Sequence, residues 1–140
     1  QITQIFNGQT AQTPGTPAET AGLTFAVSGA VGVGYWVYQI ADNTVAPSDS
    51  SSASLGPVLG LVTDLTSGIA TVIDSGSYTY GDNDTHPFLP LVPDQTYYAH
   101  VGTGEITMSP NPPTGGYIQE LGYAKTDREF VLSIQGPILL

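Results

Sequence analysis

The sequence predicts an all-β protein: a single β-sandwich or small barrel over residues 23–140, preceded by an extended arm over residues 1–22. Gly (17) and Pro (11) make up one fifth of the 140 residues, which excludes a bundle of long helices because both disfavour helix interiors. Hydrophobic residues form 40% of the chain, with eight Tyr, so there is material for a core. Short apolar runs alternate with turn residues, a pattern typical of sandwiches and barrels.

The first 22 residues differ from the rest of the chain. An apolar start with Ile2, Ile5 and Phe6 is followed by a polar stretch that contains Pro14 and Pro17. Such a composition favours extended or polyproline II backbone. We interpret the segment as a tether that lies on a neighbouring subunit, with the three apolar residues as contacts; the alternative is a disordered terminus. The chain begins at Gln1 rather than Met, and the sequence leaves open whether further residues precede it.

The remaining residues divide into nine predicted strands separated by turns that are rich in Gly, Asp, Asn and Ser. The strands are Leu23–Val27, Tyr35–Ile40, Val58–Thr63, Ile69–Ile73, Tyr78–Tyr80, Thr96–Val101, Ile106–Met108, Tyr117–Tyr123 and Glu129–Ile134. Alternation is clearest in the last strand, where Phe130, Leu132 and Ile134 share one face. The predicted core contains Val37, Val58, Leu61, Val72, Leu121, Leu132 and Ile134.

The uncharged run from Leu23 to Ala41 has the length of a membrane-spanning helix. Three glycines interrupt it, Val, Thr and aromatic residues dominate it, and no basic cluster flanks it. Two strands around a Ser-Gly-Ala turn account for the same residues better. The sequence therefore predicts no membrane partner.

The charge balance restricts the possible partners. Lys and Arg number two in total, and Asp and Glu number 12, which gives a net charge of −10 with His neutral. Nucleic acids and anionic membrane surfaces are therefore poor partners. The chain has no Cys, which excludes disulfides and thiolate metal sites.

No pattern of residues indicates catalysis, a cofactor or a metal. His86 lies in a turn-rich segment, and His100 lies on a predicted strand. Asp82 and Asp84 resemble part of a calcium loop, but Pro93 stands where an EF-hand requires Glu, so a solvated acidic turn is the simpler interpretation. Nucleophile elbows and phosphate-binding loops are also missing from the sequence, and we predict a non-enzymatic protein.

The aromatic residues are the more informative population. Tyr35, Trp36 and Tyr38 follow one another on a predicted strand and are candidate contacts to another subunit or a capsid. A strand face rich in Tyr can pack into the core with its hydroxyls at the edge, form a subunit interface, or provide a surface on which sugars stack. The sequence leaves these three alternatives open.

The last third of the chain resembles a domain common in virion proteins of tailed bacteriophages. The resemblance rests on the order of a Tyr-Tyr strand, a Gly-centred hairpin, a Pro-Pro-Thr segment, a Gln-x-Leu-Gly-x-Ala strand and a Pro-Ile-x-Leu end. In this sequence the elements are Thr96–His100, Gly102–Gly104, Ile106–Gly115, Ile118–Ala124 and Phe130–Leu140. Upstream of them, the segment Val58–Gly76 also resembles part of that domain. The resemblance covers residues 55–140 and, more weakly, 30–54; the usual Gly-Asp before the strand Tyr35–Ile40 is missing.

The resemblance implies a structural or adhesive protein on the virion exterior, commonly a trimer, without catalytic residues. A compact β-domain with an arm fits a capsid decoration protein, whose partners are copies of itself and virion proteins such as the major capsid protein. A tail-fibre or receptor-binding segment, with a host-surface glycan as partner, is the alternative. A third hypothesis is a secreted carbohydrate-binding module or a filament subunit that uses the arm as a donor strand.

Overall fold

A computed structural model of the chain describes residues 22–102 and 104–140. In these residues the chain forms twelve β-strands and one short 3-10 helix, Ala53–Leu55. The strands are β1 (Leu23–Val27), β2 (Trp36–Ala41), β3 (Thr44–Pro47), β4 (Gly60–Thr66), β5 (Ile69–Ile73), β6 (Ser75–Thr79), β7 (Thr96–Ala99), β8 (Ile106–Thr107), β9 (Tyr117–Ile118), β10 (Glu120–Ala124), β11 (Glu129–Ser133) and β12 (Ile138–Leu139). The predicted all-β class is confirmed.

The first five strands close into a small barrel in the order β1-β3-β2-β4-β5. Strands β1 and β3 are parallel, and the other neighbours are antiparallel. Every strand of the barrel contributes to one buried cluster: Phe25, Val37, Val45, Val62, Ala70 and Val72. Burial of these side chains stabilises the barrel because apolar surface is removed from water.

The next strands form a second sheet in the order β6-β11-β10-β7-β8, and β12 pairs with β9 in a two-stranded sheet. A larger apolar cluster combines residues of the barrel with residues of the second sheet. Trp36, Leu61 and Ile73 belong to the barrel strands, while Tyr97 and Phe130 belong to the second sheet. The Phe130 ring contacts Trp36 and Tyr97 edge-on, at centroid distances of 5.3 and 5.8 Å. This core joins the barrel to the second sheet.

Most of the predicted core is confirmed. Six of the seven predicted residues are buried: Val37, Val58, Leu61, Val72, Leu121 and Leu132. Ile134 is only partly buried and packs against the larger cluster, since it lies one residue beyond the end of β11. The strands Leu23–Val27 and Ile69–Ile73 have the predicted bounds.

Several strand predictions are wrong in detail. The predicted strand Tyr117–Tyr123 is divided into β9, which pairs with β12, and β10, which pairs with β7 and β11; the buried Gln119 lies between the two strands. Strand β3 was not predicted. It ends in Pro47, where a segment with the composition of a loop begins. The run Leu23–Ala41 forms β1 and β2, and within the described residues no helix is long and apolar enough to cross a membrane.

Candidate functional site

The predicted contact residues of the arm, Ile2, Ile5 and Phe6, lie outside the described residues. Of the other three, Trp36 requires a correction: its side chain is fully buried between the barrel and the second sheet. It therefore offers no surface to a partner. Tyr35 and Tyr38 are half-buried and remain candidates for contact.

Tyr35 and Tyr38 line the same cleft, which has a volume of about 480 Å³. Pro47, Leu55 and the carboxylate-bearing Asp49 line it as well. We call this site the tyrosine cleft. It combines apolar walls and two tyrosine side chains with one carboxylate, the usual character of a small-molecule site.

The Tyr35 side chain is positioned by close packing against His86 and Gly104. Its ring lies edge-on to His86, with the centroids 5.3 Å apart. A Cβ atom at Gly104 would approach the ring to 2.9 Å, so a glycine is needed at this position, where φ is also +75°. The Gly104 carbonyl accepts a hydrogen bond from the Trp36 N–H, which holds this loop against β2.

Asp49 lies in the loop between the barrel strands β3 and β4, and backbone hydrogen bonds join this loop to residues at the β7–β8 connection. The Ser48 N–H donates to Trp36 O, and the Ser48 carbonyl accepts from the Gly104 N–H. On the other side of Asp49, the Ser50 N–H donates to the carbonyl of His100. Backbone hydrogen bonds thus fix the segment before and after Asp49.

The Asp49 carboxylate is itself oriented by the backbone. Its Oδ1 accepts hydrogen bonds from the N–H groups of Ser51, at 2.9 Å, and Gly102, at 3.3 Å. Among the described residues both hydrogen bonds to this carboxylate go to Oδ1. The second oxygen, Oδ2, accepts no hydrogen bond from the residues that the structure describes.

Buried hydroxyl groups lie close to this segment. Within the described part of the chain, the side-chain oxygens of Ser48, Ser50 and Tyr117 have no hydrogen-bond partner although they are buried. Burial raises the pKa of Tyr117 to about 12, and the negative charge of Asp49 and the nearby Tyr38 contribute to the shift. Tyr117 therefore stays protonated at physiological pH. Unpaired buried hydroxyls are unusual and mark this region as more polar than an ordinary core.

His86 lies within an aromatic cluster. Its ring stacks on Phe88, with the centroids 5.1 Å apart, and meets Tyr80 edge-on. The Tyr80 hydroxyl donates to the Gly34 carbonyl at 3.1 Å, and burial raises the pKa of Tyr80. The sequence placed His86 in a turn; the structure gives it a packing role behind Tyr35.

The acidic turn around Asp82 and Asp84 is held by a guanidinium group. Arg128 donates to the carbonyls of Gly81 at 3.0 Å and of Asp82 and Asp84 at 3.4 Å. The Asp84 carboxylate accepts from the Gly81 N–H at 2.7 Å. A calcium ion at this turn would take backbone carbonyls as ligands, but these three carbonyls accept hydrogen bonds from the positively charged Arg128 instead. In the described ranges, no group of three or more His, Asp or Glu residues could hold a metal ion.

Replacing Arg128 with alanine is expected to lower the free energy of unfolding by about 1–3 kcal/mol, because several charge-assisted hydrogen bonds are lost together. Urea denaturation followed by circular dichroism measures the loss. Lys125→Ala is the matched control. Lys125 is the only other Lys or Arg of the sequence, and its side chain is exposed. An equal loss in both variants would assign the effect to net charge rather than to the hydrogen bonds of Arg128.

His100 lies in a second cleft of about 340 Å³, together with Phe88, Tyr97, Glu105 and Met108. Within the described residues its Nδ1 atom is buried without a hydrogen-bond partner. The Tyr97 hydroxyl accepts from the Val92 N–H and is thereby already engaged. The structure places the two histidines in different surroundings, one in the aromatic cluster and one in this cleft.

The comparisons with known proteins found no relative. No family model matches the chain, and neither a curated protein nor a solved structure matches it.

Proposed function

We propose that the chain is a non-enzymatic structural protein on the exterior of a tailed-bacteriophage particle. Its role there is that of a capsid decoration protein, which associates with copies of itself, most simply as a trimer, and with the major capsid protein. The sequence resemblance over residues 55–140 motivates this proposal.

The observation that carries the proposal is the exposed apolar end of the chain. Ile138, Leu139 and Leu140 are 65%, 66% and 49% exposed, although β12 is paired with β9. Consecutive large apolar side chains on a folded surface favour coverage by a partner. A neighbouring subunit or the capsid surface would bury them.

The charge of the chain agrees with an exterior position. A net charge of −10, with two Lys and Arg in the whole sequence, disfavours contact with the packaged nucleic acid. The same charge disperses particles by mutual repulsion when it is displayed on their outside.

The second candidate function is a tail-fibre or receptor-binding segment, and the tyrosine cleft is the observation that favours it. A cleft with two Tyr side chains and an oriented carboxylate suits ligand binding better than passive coverage of a capsid. Electron microscopy of the isolated particle distinguishes the two roles. Decoration requires many copies at three-fold or quasi-three-fold positions of the capsid, whereas a fibre segment requires few copies at the tail.

Replacing Ile138 and Leu139 together with serine is expected to reduce capsid occupancy sharply while the isolated protein stays folded. Both side chains are exposed, and exposed substitutions change stability by about 0.5 kcal/mol or less. Co-sedimentation with capsids that lack the protein measures occupancy. Ile40→Ser, at another exposed apolar position, is the control. Wild-type occupancy by the double variant would contradict a contact at this end of the chain.

A further inference from the structure

The tyrosine cleft has the composition of a carbohydrate site. We propose that it binds a neutral saccharide, with Tyr35 and Tyr38 against the sugar rings and Asp49 accepting hydrogen bonds from sugar hydroxyls. The proposal deepens the second candidate function, which rests on the same cleft, and it is tested on the isolated chain, separately from the location of the protein in a particle.

The two tyrosines provide the apolar contact. Both residues are half-buried and both line the cleft. A pyranose ring exposes C–H groups on its faces, and a rigid aromatic side chain with a polar end suits such a surface because it loses little conformational entropy. Pro47 and Leu55 extend the apolar wall.

Asp49 provides the polar contact. Its Oδ1 is held by two backbone N–H groups, so the carboxylate is oriented before any ligand arrives. The other oxygen can accept from a sugar hydroxyl, and a hydrogen bond to a charged acceptor is about twice as strong as one between neutral groups. Preorganisation of this kind raises affinity by reducing the entropy lost on binding.

The electrostatics of the cleft select the class of ligand. No Lys, Arg or His is among its lining residues in the part of the chain that the structure describes, and the chain carries a net charge of −10. Phosphorylated and acidic sugars would therefore be repelled by Asp49.

The size of the cleft separates a saccharide from a small cation. At about 480 Å³ the cleft is larger than one ammonium group requires, and its two tyrosines share the wall with Ala, Pro and Leu side chains. A cage for a quaternary ammonium group instead surrounds the cation with aromatic rings. One or two sugar rings suit this volume and lining better.

The test is a titration of the full chain with lactose, cellobiose and maltose, followed by nuclear magnetic resonance. We expect saturable binding of at least one disaccharide, with a Kd on the order of 1 mM and shifts at the cleft residues. Tyr38→Ala and Asp49→Asn are each expected to weaken binding at least about tenfold, since each removes a main contact. Asp49→Asn keeps an oxygen that accepts the two backbone hydrogen bonds, so the loop is preserved.

Two further variants separate binding from folding. Tyr38→Phe keeps the ring and is expected to retain binding, and Tyr123→Ala removes an exposed tyrosine that lies outside the cleft and is expected to have no effect. Choline is titrated in parallel. Saturable binding of choline at the cleft without binding of any disaccharide would overturn the proposal in favour of a cation site. Absence of binding by all four compounds, or equal binding by the Tyr38→Ala variant, would also overturn it.

Discussion

Replacing Trp36 with alanine is expected to lower the free energy of unfolding by about 3–5 kcal/mol, the range for deleting a large aromatic side chain from a core. Trp36 is fully buried and belongs to the cluster that joins the barrel to the second sheet. Its ring meets Phe130 edge-on at 5.3 Å, a geometry that adds to the burial of apolar surface. A cavity at this position would loosen both sheets at once.

Urea denaturation followed by far-ultraviolet circular dichroism measures this loss, because the variant lacks the single tryptophan that fluorescence would use. Tyr38→Ala is the matched control on the same strand, since it removes an aromatic side chain that is only half-buried. It is expected to cost less than Trp36→Ala. A loss in Trp36→Ala of less than about 1 kcal/mol, the usual size of an average substitution, would contradict the core position and restore the interpretation as a surface contact.

Trp36 also shows why sequence reasoning misjudged this strand. Successive side chains of a strand point to opposite faces of the sheet. A face is predicted to be exposed when the residues that share it are polar. Strand β2 has Val37 in the barrel interior and Trp36 in the core between the sheets, so both faces are buried at these two residues. A strand that is buried on both faces has no polar alternation, and its sequence does not tell core from interface.

The tyrosine cleft could be predicted only in part. The aromatic excess around Tyr35 and Tyr38 is visible in the sequence, and turn composition identifies the loop that carries Asp49. The position of that carboxylate depends on bonds to Gly102 and, through the flanking serines, to His100 and Gly104. These partners lie about fifty residues away, and no local pattern records such contacts.

The fold was more predictable than the site because its determinants are local. Strand β5 lies between a Thr-Ser-Gly turn and an Asp-Ser-Gly segment, and its predicted bounds are confirmed. The division of Tyr117–Tyr123 into two strands reflects distant partners instead, since β9 pairs with β12 whereas β10 pairs with β7 and β11. Between them lies the buried side chain of Gln119, whose hydrogen bonds to distant backbone groups no periodicity reveals. That side chain is the basis of the remaining prediction.

Replacing Gln119 with leucine is expected to lower the free energy of unfolding by at least about 3 kcal/mol. The side chain is 2% exposed and fully engaged: Oε1 accepts from the Val58 N–H at 2.8 Å, and Nε2 donates to Val58 O at 3.3 Å and to Gln135 O at 2.9 Å. Leucine has a similar size but leaves these backbone groups without this partner, and each of the two buried groups of Val58 that is left unpaired costs about 1–3 kcal/mol. Gln39→Leu, at an exposed position of β2, is the control and is expected to change stability by about 0.5 kcal/mol or less.

A second variant, Gln119→Glu, separates the loss of hydrogen bonds from the loss of shape. The ionised carboxylate can still accept from the Val58 N–H, but it turns negative oxygens toward the carbonyls of Val58 and Gln135. Burial and these carbonyls raise the pKa of the new carboxyl in the folded state above its unfolded value, so the folded state binds more protons and stability falls as the pH rises through that interval. We therefore expect Gln119→Glu to be closer to wild type at pH 4 than at pH 7, measured by urea denaturation at both values. A Gln119→Glu variant whose deficit is the same at both pH values, or a Gln119→Leu variant as stable as wild type, would show that Gln119 is not the polar link between Val58 and Gln135.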